Sequence, residues 1–247
     1  MRIASTFGMW LLAAGCLAGH ARAQAAGPGH GPDSARVVVR KTEDFTVGGA
    51  GRAAAWNRTG WVTLPVRKAA GPTRGTAVKL LYSDAGLYFL FRCEDGRLTA
   101  TLREDFGALY TEDVVEVFLW PDPSVPVYFE YELSPLNHEL PILVPNLQGR
   151  FMGWKPWQYE GKRKTRHATH VQRDEKAKGG AIRAWTAEFF IPFALLRPLV
   201  AAPPPPGTAW RANLYRIDYD QGVATWAWQK TNGNFHEYQK FGTLVFE

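Results

Sequence analysis

Glu116 lies in the run LYTEDVVEVFLWPDP, residues 109 to 123, where the residue types around an acid are unusual. In a strand, alternate side chains share a face. Val115, Val117 and Leu119 then make one apolar face, and Val114, Glu116, Phe118 and Trp120 make the other. Burying an unpaired carboxylate costs several kcal/mol. Glu116 therefore needs a partner, or its face lines something that is neither bulk water nor core. The next run, VYFEYEL, has the same character: Phe129, Tyr131 and Leu133 on one face, Tyr128, Glu130 and Glu132 on the other. If the two runs are neighbouring antiparallel strands, Glu116, Trp120, Tyr128, Glu130 and Glu132 share one sheet face. Carboxylates among aromatic rings suit a saccharide, because rings stack on the apolar faces of pyranoses and carboxylates accept hydrogen bonds from hydroxyls. A solvated sheet face with a few exposed rings has the same composition. Glu116 with Glu130 or Glu132 would also supply the two carboxyls that O-glycosyl hydrolysis requires.

Other catalytic patterns are missing. Ser83, Ser124 and Ser134 lack the G-x-S-x-G strand–turn–helix context. Gly48-Gly49-Ala50-Gly51 is a loop without a G-x-G-x-x-G or Walker pattern. His167 and His170 fall three apart in an expected strand and so face opposite sides, which disfavours a shared metal. The basic run Lys162–Arg166, near Trp154 and Trp157, reads as a solvated hairpin tip, with an anionic polysaccharide as its alternative partner.

The elements that hold these residues are mostly strands. Candidates are 77–82, 87–93, 113–119, 127–133, 139–144, 167–172, 182–191, 210–218, 224–229 and 242–246, rich in the Val, Tyr, Phe and Trp that pleated surfaces favour. Asp84-Ala85-Gly86 makes a hairpin turn between the first two. Only Pro192–Leu196 looks helical, as a short turn opened by proline. Such a pattern predicts an all-β chain: a two-sheet antiparallel β-sandwich, jelly-roll-like, with very little helix.

The N-terminus reads differently. Arg2, an apolar run from Phe7 to Leu17 and Ala21-Arg22-Ala23 before Gln24 fit a secretory signal peptide over residues 1–23. Ala14-Gly15-Cys16 offers the alternative of a lipid anchor at Cys16. Residues 24–36 form an expected Gly/Pro/Ala tether, and 37–247 the domain. Later segments have no apolar run long enough for a transmembrane helix. The chain carries +6; cleavage after Ala23 removes Arg2 and Arg22 and leaves +4, too weak a surplus to imply nucleic acid. Cys93 is then the sole cysteine, on the apolar parity of Leu87, Phe89 and Phe91, and is expected to be a small core hydrophobe. The remaining chain of about 220 residues can bury a sizeable core without disulfides. The expected localisation is secreted or periplasmic.

The segments KLLYSDAGLYFLFRCED, LYTEDVVEVFLWPDP, YFEYELSP, AWTAEFFIPFALL, GTAWRANLYRID and FHEYQKFGTLVF, in this order, resemble the family-nine carbohydrate-binding modules and the wider DOMON-like group of exported domains. The resemblance spans residues 40 to 247. It implies a non-catalytic carbohydrate-binding domain that supports carbohydrate catabolism, with an oligo- or polysaccharide ligand and a glycan-degrading enzyme as partner. It places the two rings that sandwich a sugar at Tyr110 and Phe235, the hydroxyl-binding glutamate at Glu116 and a polar loop residue at Asn232. The basic residue that such modules carry on the next strand is replaced by Glu132. Sandwiching a pyranose requires ring planes about 7–8 Å apart, twice the usual ~3.5–4.0 Å carbon contact. Some relatives hold structural calcium, to which Glu112, Asp113 and Asp122 could contribute, though without EF-hand spacing. Other DOMON domains hold haem, for which Met152 with His138 or His236 would be the available ligands.

Overall fold

The computed structural model describes residues 35–174 and 181–247. The expected signal peptide, Cys16 and nearly all of the expected tether lie outside the described residues. The strands are β1 Arg36–Lys41, β2 Val62–Thr63, β3 Val66–Lys68, β4 Thr76–Tyr82, β5 Gly86–Glu94, β6 Val114–Trp120, β7 Val127–Leu133, β8 Glu139–Leu147, β9 Arg150–Phe151, β10 Lys155–Pro156, β11 Arg166–Arg173, β12 Ile182–Pro192, β13 Ala209–Asp218, β14 Ala224–Ala227 and β15 Gly242–Phe246. Every strand read from the sequence is present, with ends displaced by a few residues at most. β1, which begins on the last residue of the expected tether, and the short β2, β3, β9 and β10 were not foreseen.

Two sheets result. The first runs β10-β8-β7-β6-β13-β15-β1, and the second β1-β4-β5-β12-β11. β1 belongs to both: Arg36–Val39 pair with β15, and Arg40–Lys41 pair with β4. Both of these pairings are parallel, whereas the pairs β4–β5, β5–β12, β6–β7, β7–β8 and β6–β13 are antiparallel. Among the described residues, helix is limited to short 3-10 turns. The expected helical turn at Pro192–Leu196 is not a helix. Pro192 closes β12 opposite Gly86, and the chain then folds through two consecutive tight turns, Leu195 N–H to Pro192 O and Leu196 N–H to Phe193 O. Pro198 follows two residues later and disfavours helical backbone at Arg197.

Between the sheets, Val115, Val117, Phe129, Tyr131, Leu133 and Leu214 meet Val78, Leu80, Phe89, Phe91, Trp185 and Phe189. Each large apolar side chain buried there contributes roughly 1.5–3 kcal/mol. Cys93 lies in this core, fully buried, and burial pushes its thiol up to about 12. The Gly48–Gly51 loop turns out to be a clamp: the Gly48 and Gly51 amides and the Trp56 indole donate to the buried Glu188 carboxylate of β12. Gly51 has φ +64°, and a Cβ there would collide with Leu90.

The first sheet is buried on its outer face as well. Val114, Phe118, Trp120, Tyr128, Leu140, Ile142, Tyr215 and Phe241 form a second apolar layer there. This is why β6 lacks strict alternation, as strands covered on both sides do. The alternative of a solvated sheet face is thereby overturned: loops cover it.

Candidate ligand-binding site

β6, β7 and β13 lay the floor. Glu116 stands opposite Glu132 on one side and Tyr215 on the other, and Glu130 stands opposite Phe118. Opposed residues in an antiparallel pair keep their Cβ atoms about 4.5–5.5 Å apart. The register therefore sets two carboxyls side by side with a third on the diagonal. They are 2 % (Glu116), 4 % (Glu130) and 1 % (Glu132) exposed. Oε2 of Glu130 and Oε2 of Glu132 have no hydrogen-bond partner. Burial raises the Glu116 carboxyl to about 8. Glu130 and Glu132 are also held well above the usual range, first by burial and then by the charge of Glu116. A backbone contact from Tyr110 pulls Glu132 the other way.

One wall is the 99–113 segment, stapled from below by two acids. Asp113 accepts from the Thr99 amide (2.6 Å) and the Tyr219 amide (2.8 Å), while Glu112 accepts from Thr101 and Leu102. The Tyr219 hydroxyl donates to the Tyr110 carbonyl at 2.9 Å. Tyr110 is so fixed, 38 % exposed, with its ring edge-on to that of Trp154 at 6.5 Å. Burial raises the Asp113 carboxyl to about 7.

The facing wall is the segment after β14. Phe235 stacks on Tyr215 at 4.1 Å with planes 5° apart, and the Tyr215 hydroxyl donates to the Phe235 carbonyl. The Arg67 guanidinium lies 5.1 Å from the Phe235 ring centre and donates to Thr231 and Gly233. His236 stacks with Phe151 at 4.1 Å and with Phe118 at 5.4 Å. Its Nδ1 is 2.6 Å from the Tyr128 hydroxyl and 3.8 Å from Glu130 Oε2. Burial lowers this imidazole to about 4, so it is neutral near pH 7.

These walls enclose a cavity of about 390 Å³. Of the residues singled out from sequence, Tyr110, Glu116, Glu132 and Phe235 all border it. Asn232 does not: it is exposed, and its amide donates to Glu237 at 2.8 Å. Asn234, two residues on, borders the cavity instead. Phe235 has one face covered by Tyr215, so Tyr110 presents the freer ring. Arg67, Phe151, Trp154 and His236 were missed as wall residues. The cluster of aromatics in FMGWKPW was the available signal for two of them.

The acids considered for calcium do not converge. Glu112 and Asp113 are spent on backbone amides, and Asp122 caps its own turn through Ser124. No group of three or more potential ligand side chains is arranged for a metal ion among the described residues. A haem does not fit either. Met152 is half exposed, His138 pairs with Asp105, and His236 fronts a cavity floored by carboxyls rather than an apolar slot. In the basic run, Arg163 lies over Trp157 and Arg166 over Phe190, so the expected solvated tip is partly packed.

No family model matches the sequence, and no curated protein matches it. Solved structures do. A protein from Bacteroides uniformis ATCC 8492, to which carbohydrate binding is attributed, superposes with a TM-score of 0.69 at 16 % identity, covering 86 % of this chain and 99 % of its own. A family-nine carbohydrate-binding module from Caldicellulosiruptor kristjanssonii in complex with glucose gives 0.60 at 18 % identity, covering 86 % and 95 %. Its complex with cellotriose gives 0.60 at 17 %, covering 86 % and 93 %. The chain thus shares the β-sandwich fold of these carbohydrate-binding proteins over nearly its whole described length.

Proposed function

We propose that this domain binds a saccharide, without cleaving it, in the cavity between Tyr110 and Phe235. The supporting observation is the cavity itself: three buried carboxyls, two with an unpaired oxygen, lie beneath aromatic walls on a fold shared with glucose- and cellotriose-binding modules. Tyr110, with Trp154 beside it, offers a stacking ring, worth roughly 0.5–1.5 kcal/mol beyond area burial. Glu116, Glu130 and Glu132 exchange hydrogen bonds with ring hydroxyls. Glycoside hydrolysis needs carboxyls on either flank of the scissile bond. Here all three rise from adjacent strands of one floor, on the same side of any sugar laid upon it. In this reading the domain is exported by its N-terminal segment and serves glycan breakdown beside a degrading enzyme. Titration calorimetry against a panel of β-linked disaccharides is the test. Binding is expected, weakened roughly 2- to 10-fold in Tyr110→Ala, with no reducing sugar released. A folded protein that takes none of the panel contradicts the proposal.

A further inference from the structure

The same cavity carries a narrower reading, which rests on the saccharide proposal. Its floor holds three acids and no base that neutralises them. Among the described residues, the ion-pair contacts of these acids include no Lys or Arg; the one cationic candidate is His236, 3.8 Å from Glu130. That imidazole is neutral near pH 7 and already faces the Tyr128 hydroxyl. Arg67 is the other base on the border, and its guanidinium is spent on the Thr231 and Gly233 carbonyls above Phe235. Yet Glu130 and Glu132, each more than nine-tenths buried, border this space, and Oε2 of each lacks a hydrogen-bond partner of its own. Burying an unpaired carboxylate is costly, and removing water from three adjoining ones is costlier still.

We infer that the cavity receives a pyranose bearing a protonated amine, with the ammonium seated among Glu116, Glu130 and Glu132. An alkylammonium offers three N–H donors and one positive charge. Three neighbouring acids on one sheet face can accept those donors in charge-assisted bonds, each about twice as strong as a neutral one. A neutral hydroxyl offers a single donor and brings no charge that would favour ionised acids. The amine sits directly on the sugar ring, so the same ligand can rest against Tyr110 and gain cation–π attraction from the rings around it. In the free protein, burial keeps these carboxyls protonated at slightly acid pH. Seating an ammonium there displaces protons to solvent.

The test compares three β-1,4 disaccharides near pH 6 by calorimetry: glucosamine dimer, its N-acetylated counterpart and cellobiose. The glucosamine dimer is expected to bind at least about tenfold tighter than either neutral sugar. Its apparent enthalpy should change with the ionisation enthalpy of the buffer, reporting proton release. Glu132→Gln and Glu130→Gln should each bring the ratio of the two affinities toward one, with melting curves confirming that both variants fold. If cellobiose binds as tightly as the amine, or if the ratio survives both substitutions, the amine inference is overturned while saccharide binding stands. If calcium alone raises the melting temperature and abolishes the amine preference, the acids serve a cation and the inference is again overturned. If no disaccharide binds, both readings fail together.

Discussion

At the scale of single residues, Glu116 is the most informative position, because its environment makes a sign-definite demand on stability. The folded carboxyl is held at about 8 against an ordinary 4.5. Between those values the unfolded chain has lost the proton and the folded chain keeps it, so stability falls as pH rises through that window. Asp113, raised to about 7, acts in the same direction, and His236, lowered to about 4, acts in the opposite one below its ordinary value of 6.5. Glu116→Gln isolates the first contribution, and it also relieves the repulsion felt by Glu130 and Glu132. The variant should therefore gain on the wild type in urea midpoint as pH goes from 5 to 8. A difference that stays constant across that range contradicts the assignment. Glu116 itself was legible from the sequence, since a lone acid on an apolar strand face has few structural excuses. Asn232 was not assigned correctly to the cavity border. In a loop no pleat fixes the count, and an offset of two residues to Asn234 changes which side chain reaches the cavity.

At the scale of elements, the strands were legible because their alternation and turn residues are local signals. Their pairing partners were inferable for β6 and β7, which a short turn joins, and the observed register sets Glu116 against Glu132 as that pairing implies. Arg216 was not legible. It occupies a core-facing position of β13, fully buried, where its guanidinium meets Asp95 at 2.9 Å and Asp218 at 2.7 Å and lies over Trp226 at 4.6 Å. A reader of LYRID expects a solvated arginine, and Asp95 lies 121 residues away in sequence. Burial raises the Asp95 carboxyl even against the attraction of Arg216. Removing the arginine strands both acids beside the core, a loss on the order of 3–5 kcal/mol. Arg216→Met should lower stability by about that much in chemical denaturation. A loss below about 1 kcal/mol, the level of a surface pair, would show that the cluster does not stabilise the sandwich. The loop after β14 that closes the cavity was equally hidden, because its hold on the sheet depends on Phe235 and His236 meeting rings from distant strands.

At the scale of the whole molecule, two sheets joined through β1 carry a cavity on the outer face of one of them, so the core and the site are separate layers. Cys93 illustrates the separation: buried in the core with its thiol near 12, it should stay unreactive toward a thiol reagent in the native state and react on unfolding. Rapid native labelling would mean that this layer opens. The proposed export signal makes its own demand, which is that protein recovered from outside the cytoplasm begins at Gln24. Full-length material confined to the cytoplasm would contradict export. The most direct measurement is a crystal structure grown with a β-linked amino-sugar or glucose oligomer. A pyranose ring should lie against Tyr110 with its polar groups within hydrogen-bonding distance of Glu116 and Glu132. A sugar seated elsewhere, or a cavity that stays free of sugar at saturating ligand, would contradict the account.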